Sequence, residues 1–527
     1  MPYRVLIASA GLGRRLKGMS KNVNKALVSV AHKPVISHII EKFDPSIELV
    51  IPVGYKAQTV KDYVTLAYPN RKVIFVDVDV YEGEGSGLGY TILQCEQQLQ
   101  CPFIFTSNDT IVLESIPSPD HNWMGYSSTE NPSLYRSIRV EGQQVAEIYP
   151  KGTSGEAHPY IGLAGIVDYA LFWEAMRAGV HQGSIEIGES YGLRFLLAQG
   201  ITPVKFTWFD TGNIQLLEKT RSFFAKKEEA HILEKEEEAI WFVDDTVIKF
   251  SIDPAFIQNR VKRAASLKGF VPEIIASTES MYAYKKVEGE VFSKSPSLAN
   301  FSYFLDWATH FWQKKDLNAQ EKKTFEQACQ NFYKEKTYKR VKQYFTTFER
   351  MDSEEWINGE KMPSIFTVMD ALDWDHLIQG IPARIHGDLH FENMLVNANG
   401  QKAFTLLDWR QDFGGLLDYG DLYYDLAKLN HGLIVSHELI AKNLFSVIQK
   451  LNHIDFDFLR KQQLVACEQY FKQWALQNGY DYPKIQIMTA LIFLNIATLH
   501  HAPYSFLLFY LGKSMLYEAI HKKKVTS

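Results

Sequence analysis

Cysteine is scarce in this chain of 527 residues: Cys95, Cys101, Cys329 and Cys467 are the four present, and no two form a C-x-x-C pair. That spacing excludes a zinc ribbon or a disulfide framework and leaves reduced thiols in a cytoplasmic protein as the expectation. Long apolar runs are missing as well. The most apolar late stretch, 488–499, ends at His500, His501 and Pro503, well short of the roughly 20 residues that a membrane span needs. A core helix is expected there. The N-terminal apolar run is short and passes directly into a glycine turn, which predicts a buried strand and no secretion signal. Nor is there a basic excess: 56 lysines and arginines face 61 aspartates and glutamates, a net charge of -5. No nucleic acid partner and no anionic membrane surface is expected from that balance. Internal repeats and low-complexity tracts are absent from the sequence.

What the chain does have is length and an ordinary globular composition, 46% hydrophobic and 22% charged. Its length exceeds what one hydrophobic core serves, so two or more domains are expected. Up to about residue 221, short apolar runs at 4–8, 49–53, 73–78 and 103–106 alternate with helical patterns. This predicts an α/β fold, a doubly wound, mostly parallel sheet. The charged stretch 226–238 holds no proline or glycine and reads as a linker helix between a domain at 1–225 and another at 239–527. Within the latter, 238–252 reads as a β-hairpin turning at Asp244-Asp245, and strand-like runs at 273–276 and 280–287 complete a small lobe, 239–290. From 297 to 527 the pattern is mainly helical, with aromatics at helical spacing that read as core.

Two motifs carry chemistry. The first runs Ser9-Ala10-Gly11-Leu12-Gly13-Arg14-Arg15-Leu16 and continues at Asn24-Lys25. Glycines directly after a first strand let the backbone N–H groups of Ala10, Gly11 and Gly13 approach phosphates, and Arg15 and Lys25 add positive charge for a triphosphate. The spacing fits neither a dinucleotide fingerprint nor a Walker A loop. It resembles the nucleoside-diphosphate-sugar pyrophosphorylase family, a Rossmann-like nucleotidyltransferase fold. The resemblance implies that Arg15 and Lys25 act catalytically on the α-phosphate, and that Asp109 and Asp210 bind Mg2+. It also implies that the loop with Gly85 and Ser86 passes the nucleobase, and that Lys151 and Glu189 contact the acceptor. Asn24 stands where the family has proline, so a looser loop is expected there.

The second motif is His386-Gly387-Asp388-Leu389-His390-Phe391-Glu392-Asn393, followed by Asp408. An aspartate, an asparagine five residues later and a second aspartate beyond a hairpin form a phosphotransfer constellation: Asp388 takes the hydroxyl proton, and Asn393 and Asp408 hold Mg2+ on ATP. The motif resembles the aminoglycoside phosphotransferase and choline kinase family, which implies a bilobal, protein-kinase-like α+β domain. By the same resemblance Lys249 binds phosphate, the backbone at Lys286 and Val287 meets adenine, and Asp421 and Asp425 are structural. The helix expected at 256–267 has no glutamate to pair with Lys249.

Together the motifs predict a bifunctional enzyme with Mg2+ as cofactor and ATP and a second NTP, CTP by domain-pairing analogy, as substrates. It would phosphorylate a sugar, polyol or amino alcohol and couple the phosphate to NMP, as a precursor for surface polysaccharide. A choline kinase joined to a phosphocholine cytidylyltransferase, and a nucleotidylyltransferase with a regulatory pseudokinase, are the alternatives. Oligomeric state stays open.

Overall fold

The computed structural model describes residues 2–129, 132–153, 157–225, 237–294, 296–397 and 404–525, with side chains through 521. Of the expected linker helix, 226–236 lies outside the described residues, and Glu238 opens a strand. The chain divides into two compact units, one of Met1–Pro254 with Ile275–Lys285 and one of Ala255–Ile274 with Lys286–Ser527.

In the first unit, β1 (Arg4–Ala8), β2 (Glu48–Val53), β3 (Val73–Asp77) and β4 (Phe103–Ser107) lie in the order β4-β1-β2-β3 and run parallel. β1, β2 and β4 are nearly continuous apolar runs because both faces of a parallel sheet are covered. After β4 the chain turns at Asn108-Asp109 into β5 (Thr110–Val112). The long β6 (His158–Ile166) runs antiparallel to β4, and β7 (Trp208–Asp210) pairs antiparallel with β5, Asp210 opposite Thr110. The sheet is therefore parallel at its centre and extended by antiparallel strands.

The hairpin β8 (Glu238–Val243) and β9 (Thr246–Ser251) turns at Asp244-Asp245. With β10 (Ile274–Ser277) and β11 (Met281–Lys285) it makes a four-stranded sheet in the order β8-β9-β11-β10. By contacts this sheet groups with the first unit, so the compact units part from the expected boundaries at 225, 238 and 290. The reason is packing. A two-stranded hairpin is marginal alone, and Trp241, Val243, Ile248 and Phe250 need cover. Helix α1 (Ala57–Ala67) supplies it: Trp241 stands edge-on to Tyr63, ring centroids 5.0 Å apart. The Trp241 indole N–H also donates to Ser29 Oγ at 3.1 Å.

The second unit opens with helix α2 (Pro254–Ser266), carries the hairpin β12 (Met394–Asn397) and β13 (Phe404–Leu406), and continues into α3 (Leu422–Ile434), α4 (Tyr482–Ala497) and α5 (Tyr504–Val525). The apolar stretch at 488–499 falls in and just beyond α4, which is buried over most of its circumference as a core helix should be. No described helix is long and apolar enough to cross a membrane. The aromatics Phe301, Phe304, Phe311 and Tyr344 are fully buried, whereas Tyr303 is exposed. The helical expectation missed a four-stranded sheet in this unit, built from Glu355–Ile357, Glu360–Met362, Phe445–Lys450 and His453–Phe458.

Candidate active sites

Sheet topology gathers the first motif and its distant partners around a cavity of about 410 Å³. Ala10, Gly11, Arg15, Lys25, Asp109 and Asp210 line it, and so do Ser86, Lys151 and Glu189. Gly13 and Gly85 are not part of that lining. Gly13 has φ +67 and initiates the turn at Arg14–Ser20; a Cβ there would lie 2.9 Å from Lys25 Cβ, so glycine is what lets the two halves of the motif close up. Asn24 does not loosen the loop, contrary to expectation. It is fully buried, accepts from Ala26 N–H at 2.9 Å and donates to Ser9 O at 3.1 Å and Tyr55 O at 2.7 Å.

Lys25 Nζ sits 3.2 Å from Asp109 Oδ2 and Arg15 Nη2 3.9 Å from the same oxygen. Ser107 Oγ donates to Asp109 Oδ1 at 2.7 Å. Burial raises the Asp109 carboxyl most, but Lys25, Ser107 and Arg15 together outweigh it and the net shift is downward. Asp210 accepts from Gly212 N–H at 2.6 Å and from Tyr135 Oη at 2.8 Å. It is pushed up instead, by burial first and then by Asp109. Two carboxylates that repel each other in a cleft fit a divalent cation, which would relieve both terms at once. Partial burial and then Arg15 and Arg136 push the Lys151 ammonium down. Burial raises Glu189 to about 7, opposed by Arg136 and Tyr160.

In the second unit the H-G-D segment is bolted from below. Asp425 accepts the backbone N–H of His386 and of Gly387, both at 2.7 Å, and the indole N–H of Trp312 at 3.1 Å. Asp421 accepts from Ile381 N–H at 2.8 Å and from Tyr333 Oη at 2.8 Å. Gly387 has φ +83, and a Cβ would lie 2.7 Å from Arg410 Cβ. Arg263, 1% exposed, donates to the carbonyls of Ile385 and Arg410.

Asp388 itself meets Lys428 Nζ at 2.7 Å and His390 Nε2 at 3.7 Å. Burial would raise its carboxyl; Lys428 and then His390 outweigh that and hold it well below the usual carboxylate range. The amide nitrogen of Asn393 donates to Asp388 O at 2.9 Å, which turns its carbonyl oxygen toward other duty. Asp408 has φ +56 and accepts from Arg260 Nη1 of α2 at 3.1 Å. An amide oxygen and a carboxylate fit a hard cation. Arg260 stands on α2, which contains no glutamate. Lys249 is buried on β9 in the first unit, Lys286 is exposed and Val287 half-buried in the loop after β11.

Sequence reasoning missed Tyr135, Arg136 and Tyr160 in the first cavity, and Lys428, Arg260 and Arg263 in the second centre. The first three come from strands and turns with no local signature. Lys428, by contrast, lies one turn beyond Asp425 on α3, and that spacing could have revealed it.

Residues 328–435 match the phosphotransferase enzyme family. The matched segment contains Asp388, Asn393, Asp408 and Lys428. The N-terminal part is similar to nucleotidylyltransferases. The bifunctional protein GlmU of Methanococcus vannielii is 28% identical over 140 residues, 26% of this chain and 32% of that protein. The UTP–glucose-1-phosphate uridylyltransferase AglF of Haloferax volcanii is 26% identical over 110 residues, 20% of this chain and 44% of that protein. This chain spans 24–32% of the length of three GlmU proteins that it matches. Among solved structures, the CTP:phosphocholine cytidylyltransferase of Streptococcus pneumoniae aligns at 18% identity and a TM-score of 0.36, over 43% of this chain and 100% of that one.

Proposed function

We propose that the protein is a bifunctional transferase that phosphorylates a small sugar or sugar alcohol with ATP and then couples that phosphate to NMP. The convergence of Arg15, Lys25, Asp109 and Asp210 on one cavity, in a chain with a phosphotransferase segment, carries the reading. In the nucleotidyl step, an oxygen of the acceptor phosphate attacks the α-phosphorus of the NTP in line. A new P–O bond forms, the bond to the α,β-bridging oxygen breaks, and pyrophosphate leaves. Arg15 and Lys25 offset the charge that develops on the α-phosphate. Lys151 holds the acceptor phosphate and Glu189 its hydroxyls, while the backbone at Ala10, Gly11 and Gly13 and the loop at Gly85 and Ser86 hold the nucleotide.

In the kinase step the acceptor hydroxyl oxygen attacks the γ-phosphorus, the bond to the β,γ-bridging oxygen breaks, ADP leaves, and the hydroxyl proton passes to Asp388. Lys249, Lys286 and Val287 take the nucleotide roles that sequence position suggests. Asp109 with Asp210, and Asn393 with Asp408, would hold Mg2+, which when bound neutralises triphosphate charge. Functionally we divide the chain at 225 and 238 and assign CTP as the second nucleotide, a surface-polysaccharide precursor as the product and the cytoplasm as the compartment.

One observation favours a second reading, a regulatory pseudokinase: Asp408 is engaged by Arg260, and α2 has no glutamate. A pyrophosphate-release assay decides between them. Each acceptor is supplied plain with ATP or already phosphorylated, with each NTP and Mg2+. Release from a plain acceptor only when ATP is present supports both activities. Release from phosphorylated acceptors alone supports the pseudokinase, and no release at all refutes the nucleotidyl assignment.

A further inference from the structure

Three basic side chains of the second unit gather near Asp388. Lys336 and Arg340 lie one turn apart on the helix Lys336–Thr347 and share a face. The turn before it, Asn331–Glu335, is π-helical, a form that often marks a functional site. It presents Phe332, 7% exposed, to two cations at once: Lys336 Nζ is 4.1 Å from the ring centroid and Arg410 Cζ 4.8 Å. The backbone fixes Arg410, whose N–H donates to His386 O at 3.0 Å, so its side chain starts against Gly387, next to Asp388. Its Nε is buried without a hydrogen-bond partner among the described residues. Arg340 donates to Gln343 Oε1 at 3.1 Å. None of the three forms an ion pair among the described residues. The carboxylates around them are engaged elsewhere: Asp388 by Lys428, Asp408 by Arg260, Asp412 by Gly415 N–H, and Asp425 by two backbone amides and Trp312. Like charges so placed repel one another. Lys336 is pushed well below its ordinary value, by burial first and then by Arg410, Lys428 and Arg340, with Asp388 opposing. Burial and then Arg410 lower Arg340 as well.

We propose that Lys336, Arg340 and Arg410 form an anion subsite of the kinase centre, and that the sugar or sugar alcohol phosphorylated there carries a carboxylate or phosphate. This deepens the kinase reading and rests on it. With the acceptor hydroxyl at Asp388, the anionic group answers the guanidinium forks of Arg340 and Arg410, which suit carboxylate and phosphate oxygens in pairs. Lys336 adds a third donor. Phe332 holds Lys336 and Arg410 on its ring without neutralising either. A cationic acceptor such as choline would meet four positive side chains, these three and Lys428. A neutral acceptor would leave their repulsion unrelieved. On the reading above, the ATP phosphates fall to Lys249 and to Mg2+ at Asn393 and Asp408, which leaves these cations for the acceptor.

The test is ADP release by the full chain with ATP and Mg2+ across matched acceptors: glycerol, glycerate and glycerol 3-phosphate; glucose, glucuronate and glucose 6-phosphate; and choline. An anionic member is expected to exceed its neutral counterpart at least tenfold in kcat/KM, and whether it is the acid or the phosphate names the group. For that acceptor, Arg340→Gln should raise KM by about tenfold, the loss of one charge-assisted hydrogen bond, while the KM for ATP stays within twofold. Arg340→Lys should recover part of the loss. Lys336→Met, at a half-buried position, should raise the same KM at least threefold and serves if Arg340→Gln fails to fold. A neutral compound or choline as the best acceptor overturns the subsite and leaves the kinase reading intact. So does an unchanged acceptor KM in the folded variants, or a rise in the KM for ATP alone, which would give these cations to the triphosphate. ADP from none of the seven acceptors refutes the kinase reading, and the subsite with it.

Discussion

The two centres treat their carboxylates in opposite ways. In the first unit Asp109 and Asp210 both border Gly212, where a Cβ would lie 2.9 Å from Asp210 Oδ1 and 3.1 Å from Asp109 Oδ2. Their neutralisation is uneven, since Lys25 leads the stabilisation of charge on Asp109, while on Asp210 the hydrogen bonds from Gly212 and Tyr135 come ahead of Arg15. Arg15 is 64% exposed and only grazes Asp109. On the proposed reading, a metal would relieve that strain and the cations would move onto phosphates. In the second unit Asp388 is clasped by Lys428, itself 10% exposed, and its supporting loop is tied to Asp425 and Arg263. That centre is preorganised around one ionised carboxylate. On the proposed functions, the contrast teaches that polyphosphate handling goes with charge left open and hydroxyl activation with charge already placed.

The sharpest way to break this comparison is Asp388→Asn. It should lower ATP-dependent acceptor phosphorylation by about 10²–10⁴-fold, while pyrophosphate release from a pre-phosphorylated acceptor stays within twofold. Lys25→Ala should do the reverse, cutting pyrophosphate release about 10²–10³-fold and sparing ADP release. Equal loss of both activities in either variant would show that the centres are not separate.

A smaller effect concerns stability. Glu189 is raised from 4.5 to about 7 by burial, so the folded state favours its protonated form. That contribution is fully present below pH 4.5 and is lost as pH rises through about 7, about 3 kcal/mol in all by linkage. Thermal unfolding of Glu189→Gln between pH 5 and 8 should therefore be flatter than that of the parent; an identical slope would rule the titration out.

The smallest effect is at Arg260, whose pair with the 39% exposed Asp408 is worth at most about 1 kcal/mol. If the arginine competes with the cation, Arg260→Gln should lower the half-saturating Mg2+ concentration for ADP release by no more than about fivefold. A higher requirement would mean that Arg260 aids the metal loop.

Legibility tracked contiguity. The H-G-D loop was readable because its key residues fall within one short stretch, 386–408, so spacing suggested roles. Asp425 was read as structural, and its bonds to two backbone amides bear that out. In the first cavity the glycine motif was readable, but Tyr135, Arg136 and Tyr160 were not, since Tyr160 comes from the antiparallel strand β6 and Tyr135 and Arg136 from the turn that precedes Ser137–Glu141. The hairpin at 238–251 was legible as a hairpin. Its grouping was not, because period-2 patterning says which face is apolar and never what covers it.

The sequence by itself determined the α/β character of the N-terminal half, the two motifs and their order, since apolar period and local spacing are properties of the chain alone. Only the tertiary structure decided that Trp241 packs on Tyr63, that Arg260 engages Asp408, and that Lys428 reaches Asp388 with His431 buried one turn away. These are contacts between residues distant in sequence. They arise from burying apolar faces against one another, and where those faces meet sets which charges become neighbours.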